Sequence, residues 1–199
     1  MQTRLPTEHR QAEIVAAALR LASASSPALI TTGDIAEAIG VTQGAVFKHF
    51  PSKDAIWLAA MRWVREALLQ ALQDAAAQAA TPREALAAMF QAHVEFVIAH
   101  PGVPRFIFHE LQQPTDSAAK LEVRAVLQGY RKLLLAVLNE AVAQRQIGAD
   151  VDVEAAATGF IGLIQGLVMQ SMLGGRPATM RQASGPVFAL YLRGIGGAA

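Results

Sequence analysis

Five histidines and sixteen carboxylates are the residues of this chain that could move protons or hold a metal, and their spacing builds no reacting centre. His109-Glu110-Leu111-Gln112-Gln113 comes near the helical zinc-protease pattern, in which two His four residues apart bind the ion and the Glu acts as base. The second ligand position holds Gln113, so the pair is incomplete. His93 and Glu95 are two apart on a helical segment and point away from each other. His100 lies on a face similar to that of His93, with no nearby carboxylate to complete a triad. The chain has no Cys, which excludes thiolate metal sites, a Cys nucleophile and a disulfide framework. No Gly-x-Ser-x-Gly elbow, phosphate-binding loop or dinucleotide fingerprint occurs. No catalytic residue, metal or cofactor is expected. An all-α enzyme, or a small-molecule-binding protein without a nucleic-acid role, stands as the alternative reading.

A second group of polar residues suits recognition rather than reaction. It lies between Ile30 and Phe50. Gln43 carries the donor and acceptor that pair bidentately with adenine. Thr32 and Thr42 offer hydroxyls and helix-start N–H groups to phosphates. Gly44 and Ala45 keep the surface slim enough to approach bases. Lys48, His49 and Lys53 can stand beside the phosphate backbone.

The elements that must position these residues follow from local signals. Thr31 and Asp34 have capping-box spacing and predict a helix from about Thr32 to Ile39. Ile35, Ala36 and Ile39 give it one apolar face, and Gly40 suits the left-handed residue at its end. Thr42 caps a further short helix, about Gln43 to His49, that buries Val46 and Phe50. Two short helices joined by about three residues containing Gly form a helix-turn-helix, whose second helix presents its first residues to major-groove base edges. An earlier helix, about Thr7 to Ala24, carries Ile14, Val15, Ala18, Leu21 and Ala22 on one face.

This segment resembles the DNA-binding domain of the TetR/AcrR family of transcriptional regulators. The matching residues are Arg10, Ile14, Ala17 and Ala18, then Thr31-Thr32, Ile35-Ala36, Gly40-Val41-Thr42, Gly44, Val46, His49-Phe50 and Ser52-Lys53-Asp54. They fall within residues 7–67, about a third of the chain. The resemblance implies phosphate and base contacts at Thr32, Thr42, Gln43, Gly44, Ala45, Phe47, Lys48, His49 and Lys53. It also implies nine or ten helices, a homodimer, and release of DNA when a small molecule enters a C-terminal bundle. One position departs from the pattern. The family's usual Tyr is Phe47 here, so the hydroxyl that would reach a phosphate is missing, a loss of about 0.5–1.5 kcal/mol.

Beyond this segment the punctuation predicts long helices, about nine in all. The fourth starts at Ser52 and runs to near Ala80. The fifth opens on the capping box Thr81-Pro82-Arg83-Glu84 and ends at His100. The sixth is about Val103 to Gln112, the seventh Ser117 to Gln146, closed by Gly148. The eighth starts at Asp150 or Asp152 and ends at Gly174-Gly175. The ninth covers about Met180 to Arg193, with Pro186 in its first turns or at a kink, and Gly194 to Ala199 are expected to fray. The expected architecture is all-α. A three-helix DNA-binding domain occupies residues 1–53, with the start of the fourth helix to about 67. A ligand-binding and dimerisation bundle occupies residues 54–199.

Within the bundle, Phe90, His93, Val97, Phe106, His109, Glu110, Tyr130, Leu134, Phe160 and Ile164 stand at helical spacings that suit a shared core. A cavity among them, apolar with a few polar groups, is the sharper expectation and rests on the resemblance. Gly159, Gly162 and Gly166 form a small-residue stripe in the eighth helix. Each Gly costs about 1 kcal/mol relative to Ala in a helix, which close helix–helix approach would offset. With Val187, Leu190 and Tyr191 of the ninth helix they are the expected homodimer interface.

Composition sets the remaining bounds. The 199 residues carry 17 Lys and Arg against 16 Asp and Glu, so bulk charge draws the chain to neither nucleic acid nor anionic lipid. Residues 1–53 hold five Lys/Arg and four Asp/Glu, so charge alone does not mark the DNA-binding segment. The hydrophobic fraction of 53% is high for a chain of this length and suggests burial beyond one monomer's core. Ala155 to Leu173 bears no charge, but Thr158, Gln165, Gln170 and Ser171 interrupt it, so a buried helix is expected there and no membrane partner. Met1 to Gln11 is polar without an apolar run before a cleavage site. The reading is therefore a cytoplasmic, homodimeric regulator of transcription. It is expected to repress from a pseudopalindromic double-stranded operator and to be released by a small, largely apolar effector.

Overall fold

The computed structural model describes residues 7–175 and 179–196. Nine α-helices and no strand occur among the described residues. They are α1 (Thr7–Ala22), α2 (Thr32–Ala38), α3 (Gln43–Phe47), α4 (Lys53–Ala77), α5 (Pro82–Ala99), α6 (Gly102–Leu111), α7 (Ala118–Ala143), α8 (Val153–Gly174) and α9 (Thr179–Ile195).

Short-range capping accounts for most of the helix starts. Thr31 Oγ1 accepts from Asp34 N at 3.1 Å while Asp34 Oδ2 accepts from Thr31 N at 2.8 Å, a complete capping box on α2. The donated bonds hold the Asp34 carboxyl below its ordinary pKa. Thr42 caps α3 through Ala45 N, Ser52 accepts from Ala55 N in α4, and Thr81 accepts from Glu84 N in α5. Asp152 caps α8 through Glu154 N and Ala155 N. Pro186 sits in the interior of α9, past its first turns. The end of α7 differs from expectation. It stops at Ala143, and Arg145 rather than Gly148 takes the left-handed conformation, with φ 56°. Gln146 N donates to Ala141 O at 2.8 Å, so the reversal closes before the glycine is reached.

The chain divides into two compact units, one of residues 1–65 with 100–125 and the other of residues 66–99 with 126–199. In the first unit α1 packs against α2 and α6, and α2 against α3. Its core includes Ile14, Ala18, Ile35, Val46, Phe50, Ile56 and Trp57. This division differs from a boundary near Lys53, because α6 and the start of α7 belong with the N-terminal helices. Three contacts hold them there. Gly102 lies directly on the end of α1, where a Cβ would fall on the carbonyl oxygen of Leu19 and 3.1 Å from Ser23 N. Phe106 stacks on Trp57 with ring centroids 4.4 Å apart. Glu122 of α7 accepts from Arg62 at 3.2 Å and forms an ion pair with Arg65 at 2.8 Å.

In the second unit α5, α8 and α9 pack on one another. Phe90, Phe160, Phe188 and Tyr191 form an aromatic cluster, with Phe90–Phe160 and Phe90–Phe188 centroids 5.3 and 4.9 Å apart. Among the described residues α8 is the one helix long and apolar enough to cross a membrane. It is buried on one face only, through Phe160, Ile164, Leu167 and Val168. Met1 and the other N-terminal residues to Pro6 lie outside the described residues, as do Gly197–Ala199, so the expected fraying is described only in part. Gly194 and Ile195 still belong to α9, where Ile195 is buried and its carbonyl accepts from Gly148 N at 2.8 Å.

The seat of α6 on α1 leaves no room for a methyl group. Gly102→Ala is expected to lower stability by about 1–3 kcal/mol, because the obstacle is backbone and cannot rotate away. A denaturant midpoint unchanged from that of the original chain would refute this packing.

Candidate nucleic-acid interface

The second and third helices set the surface. Gly40, at φ 68°, donates its N–H to Glu37 O, and Val41 N donates to Ala36 O, both at 3.0 Å. This left-handed closure ends α2 and turns the chain into Thr42. Val46 and Phe50 are buried, which anchors α3 from one side. The opposite side is a ridge made by Thr42, Gln43, Gly44, Phe47 and Lys48, all exposed. Positions 43, 44, 47 and 48 recur at the helical spacing that places them on one face.

The structure brings the expected contact residues to this one corner and gives several of them intramolecular work. Thr42 Oγ1 accepts from Ala45 N at 3.2 Å, so the hydroxyl is part of the cap. A Cβ on Gly44 would meet nothing nearer than Thr42 Oγ1, 4.0 Å away, so the ridge is lowest there. Ala45 is half-buried. Phe47 is 47% exposed, an apolar ring at the surface where the resemblance implies Tyr. His49 is half-buried. Its carbonyl accepts from Gln11 Nε2 at 3.3 Å, and its buried Nδ1 has no hydrogen-bond partner among the described residues.

Lys53 differs most from its expected use. Its Nζ donates to Ala28 O at 3.1 Å and Ile30 O at 3.0 Å, tying the loop before α2 to the start of α4. Thr32 is 8% exposed and accepts from Gln43 Nε2 at 2.7 Å. Gln11 is a residue that sequence reasoning missed. It lies 38 positions from the carbonyl it holds, and no local pattern marks it.

The expected pocket residues fall into both units. Phe90, Val97, Tyr130, Leu134, Phe160 and Ile164 are buried in the second unit, and His93 is half-buried there. His93 Nδ1 lies 3.1 Å from Tyr130 Oη. Burial lowers the His93 pKa to about 4 and raises that of Tyr130, so both are neutral at neutral pH. Phe106, His109 and Glu110 belong to the first unit, where Phe106 stacks on Trp57 and Glu110 accepts from Ser117 Oγ. Of the six expected dimer residues, Gly159, Gly162 and Leu190 are exposed. Gly166 and Val187 are half-buried. Tyr191 turns inward, its hydroxyl donating to Ala156 O at 3.0 Å.

Comparison with known proteins bears on what this corner is. The family model for the N-terminal domain of the tetR family of bacterial regulatory proteins matches residues 14–60. A tetracyclin repressor-like C-terminal domain model matches residues 112–185, and the two together span more than half of the chain. The chain belongs to the TetR family. As a member it is a DNA-binding regulator of transcription, with its helix-turn-helix in the N-terminal region.

Curated relatives match over most of the chain. The probable HTH-type transcriptional regulator ArpR of Pseudomonas putida is 28% identical over 86% of this chain and 84% of its own. The nucleoid occlusion factor SlmA of Vibrio vulnificus is 23% identical over 79% of this chain and 81% of its own. The fold matches that of the transcriptional regulator FadR from Bacillus subtilis in complex with stearoyl-CoA. The TM-score is 0.80, with 21% identity, over 92% of this chain and 98% of that one.

Two substitutions on the TetR-family ridge separate charge from geometry. Lys48→Ala is expected to weaken binding to all duplexes alike and to reduce the salt slope by about one unit. Phe47→Tyr is expected to tighten binding, by about 0.5–1.5 kcal/mol, with no change in that slope. Titration of both variants against one duplex at several salt concentrations measures both effects. In the second unit, His93 gains a proton more readily unfolded than folded. Its contribution to stability is complete above pH 6.5 and declines as pH falls towards 4, by up to about 1.4 kcal/mol per unit. His93→Phe should flatten that part of a stability–pH curve, and an unchanged slope would count against a His93 held neutral in the fold.

Proposed function

We propose that this TetR-family protein acts as a homodimer that represses from a pseudopalindromic operator and lets go when a small, largely apolar effector binds its second unit. The observation that carries the proposal is the α3 ridge, where Thr42, Gln43, Gly44 and Lys48 are exposed on a helix whose other side is anchored. Such a ridge enters one major groove. Two copies about 34–36 Å apart, or a multiple of that, would read two half-sites on one side of a duplex.

Dimerisation is supported by what α8 and α9 leave uncovered. A Cβ on Gly162 or Gly166 would meet nothing within 4 Å, so these glycines do not serve packing inside one chain. Met169, Leu173 and Leu190 are 44%, 82% and 61% exposed. Glycines that weaken a helix beside apolar residues left in water make sense where another helix comes close. Four helices, two from each protomer, would cover this surface.

Effector chemistry is supported by the composition of the second unit's interior. Its buried residues are aromatic and aliphatic, with Ser171, Ser184 and the neutral His93–Tyr130 pair as polar groups. No buried charge is present in this unit among the described residues, so a charged group would meet no counter-charge inside. The stearoyl-CoA of the Bacillus subtilis regulator carries a long acyl chain, a ligand part of the apolar kind proposed here. A population shift on binding would change the spacing of the two α3 ridges, with α4 transmitting the change. A duplex DNA target supports operation in the cytoplasm.

Gly166→Leu is expected to convert dimers into monomers in sizing chromatography and to weaken binding to a palindromic duplex far more than to a single half-site. Retention of the dimer would overturn the assignment of this face.

A further inference from the structure

The hydroxyl of Thr32 has a use that neither capping nor a phosphate contact explains. Thr31 supplies the cap of α2, so Thr32, the next residue, is not needed there. Thr32 is only 8% exposed. Its Oγ1 accepts from Nε2 of Gln43 at 2.7 Å, across the corner between α2 and α3. Gln43 itself is exposed on the recognition ridge. A buried hydroxyl is thus bonded to the one exposed amide of that helix.

A free Gln side chain has three rotatable bonds and loses much rotamer freedom when it is fixed. With one N–H held by Thr32, the amide keeps a second N–H and both lone pairs of its carbonyl oxygen. These are the donor and acceptor that match N7 and the N6 amino group of adenine. We infer that Thr32 is a positioning residue. It holds the Gln43 amide in one plane before DNA arrives, and so sets selectivity at the base pair that Gln43 faces. The inference rests on Gln43 reading a base edge, as proposed above, and replaces a phosphate contact at Thr32 with an action exerted through its neighbour.

The test uses duplexes selected by the full-length protein from a randomised pool, then altered one base pair at a time. Gln43→Ala identifies the base pair concerned by loss of discrimination there. Thr32→Val keeps the shape of the side chain and removes the acceptor. It is expected to lower discrimination at that same base pair by about three- to tenfold, with non-specific affinity and salt slope unchanged. Thr32→Ser is expected to restore discrimination. In a Gln43→Ala background, Thr32→Val should change discrimination no further. An equal loss on every duplex, non-specific DNA included, would show a phosphate contact and overturn the inference. So would unchanged discrimination in Thr32→Val. If Gln43→Ala alters discrimination at no base pair, the base-reading role of Gln43 fails, and the inference falls with it for that separate reason. Thermal melting checks the fold, and Thr32→Ala supplies the same loss of acceptor should Thr32→Val not fold.

Discussion

The reversal at Gly40 governs what the corner between α2 and α3 can present. At φ 68° a side chain would cost about 1–2 kcal/mol, and the two backbone bonds that close α2 form only around such a residue. Downstream of it, α3 has five residues, too few to hold a helical shape by its own hydrogen bonds. Its direction is therefore inherited. The Gly40 turn aims it, Thr42 starts it, Val46 and Phe50 fasten one side, and Gln11 holds the carbonyl of His49 at its far end. Lys53 fixes the loop on the other side of α2 by the same logic, with its charge spent on two carbonyls. The exposed ridge is small because most of the polar groups around it are engaged in keeping it still.

Local determinants were legible in the sequence, and distant ones were not. Thr31 with Asp34, Thr42, Ser52, Thr81 and Asp152 all cap the helices their spacing predicts, because a cap involves residues two or three apart. The seat of α6 was illegible. It depends on Gly102 meeting the backbone of Leu19 and Ser23, and on Phe106 finding Trp57, contacts between remote stretches of chain. The same holds for the bond between Thr32 and Gln43. Both side chains could be named as polar groups near DNA, yet nothing in their types says that one serves the other. Arg145 shows a subtler limit. Gly148 marked the place where α7 must stop, but the left-handed residue is three positions earlier.

The second unit separates two uses of apolar surface that composition merges. Phe90, Phe160, Phe188 and Tyr191 fill an interior with ring-to-ring contact. Met169, Leu173 and Leu190 stay in water, beside glycines with empty space above them. A hydrophobic fraction of 53% announced an excess without saying where it lies. Only the folded chain distributes it between a core, which one copy satisfies alone, and a face, which one copy cannot satisfy.

Two of the three divisions between the units fall inside helices, between residues 65 and 66 in α4 and between 125 and 126 in α7, and the third, between 99 and 100, falls where α5 ends. Cutting a helix in mid-course strands several carbonyls and amides on each side of the break. Neither unit can therefore be melted, excised or grafted elsewhere without fraying two rods that also belong to its neighbour. A chimera spliced at Lys53 would therefore part α1 from α6, which pack on each other inside the first unit, and leave both without their partner.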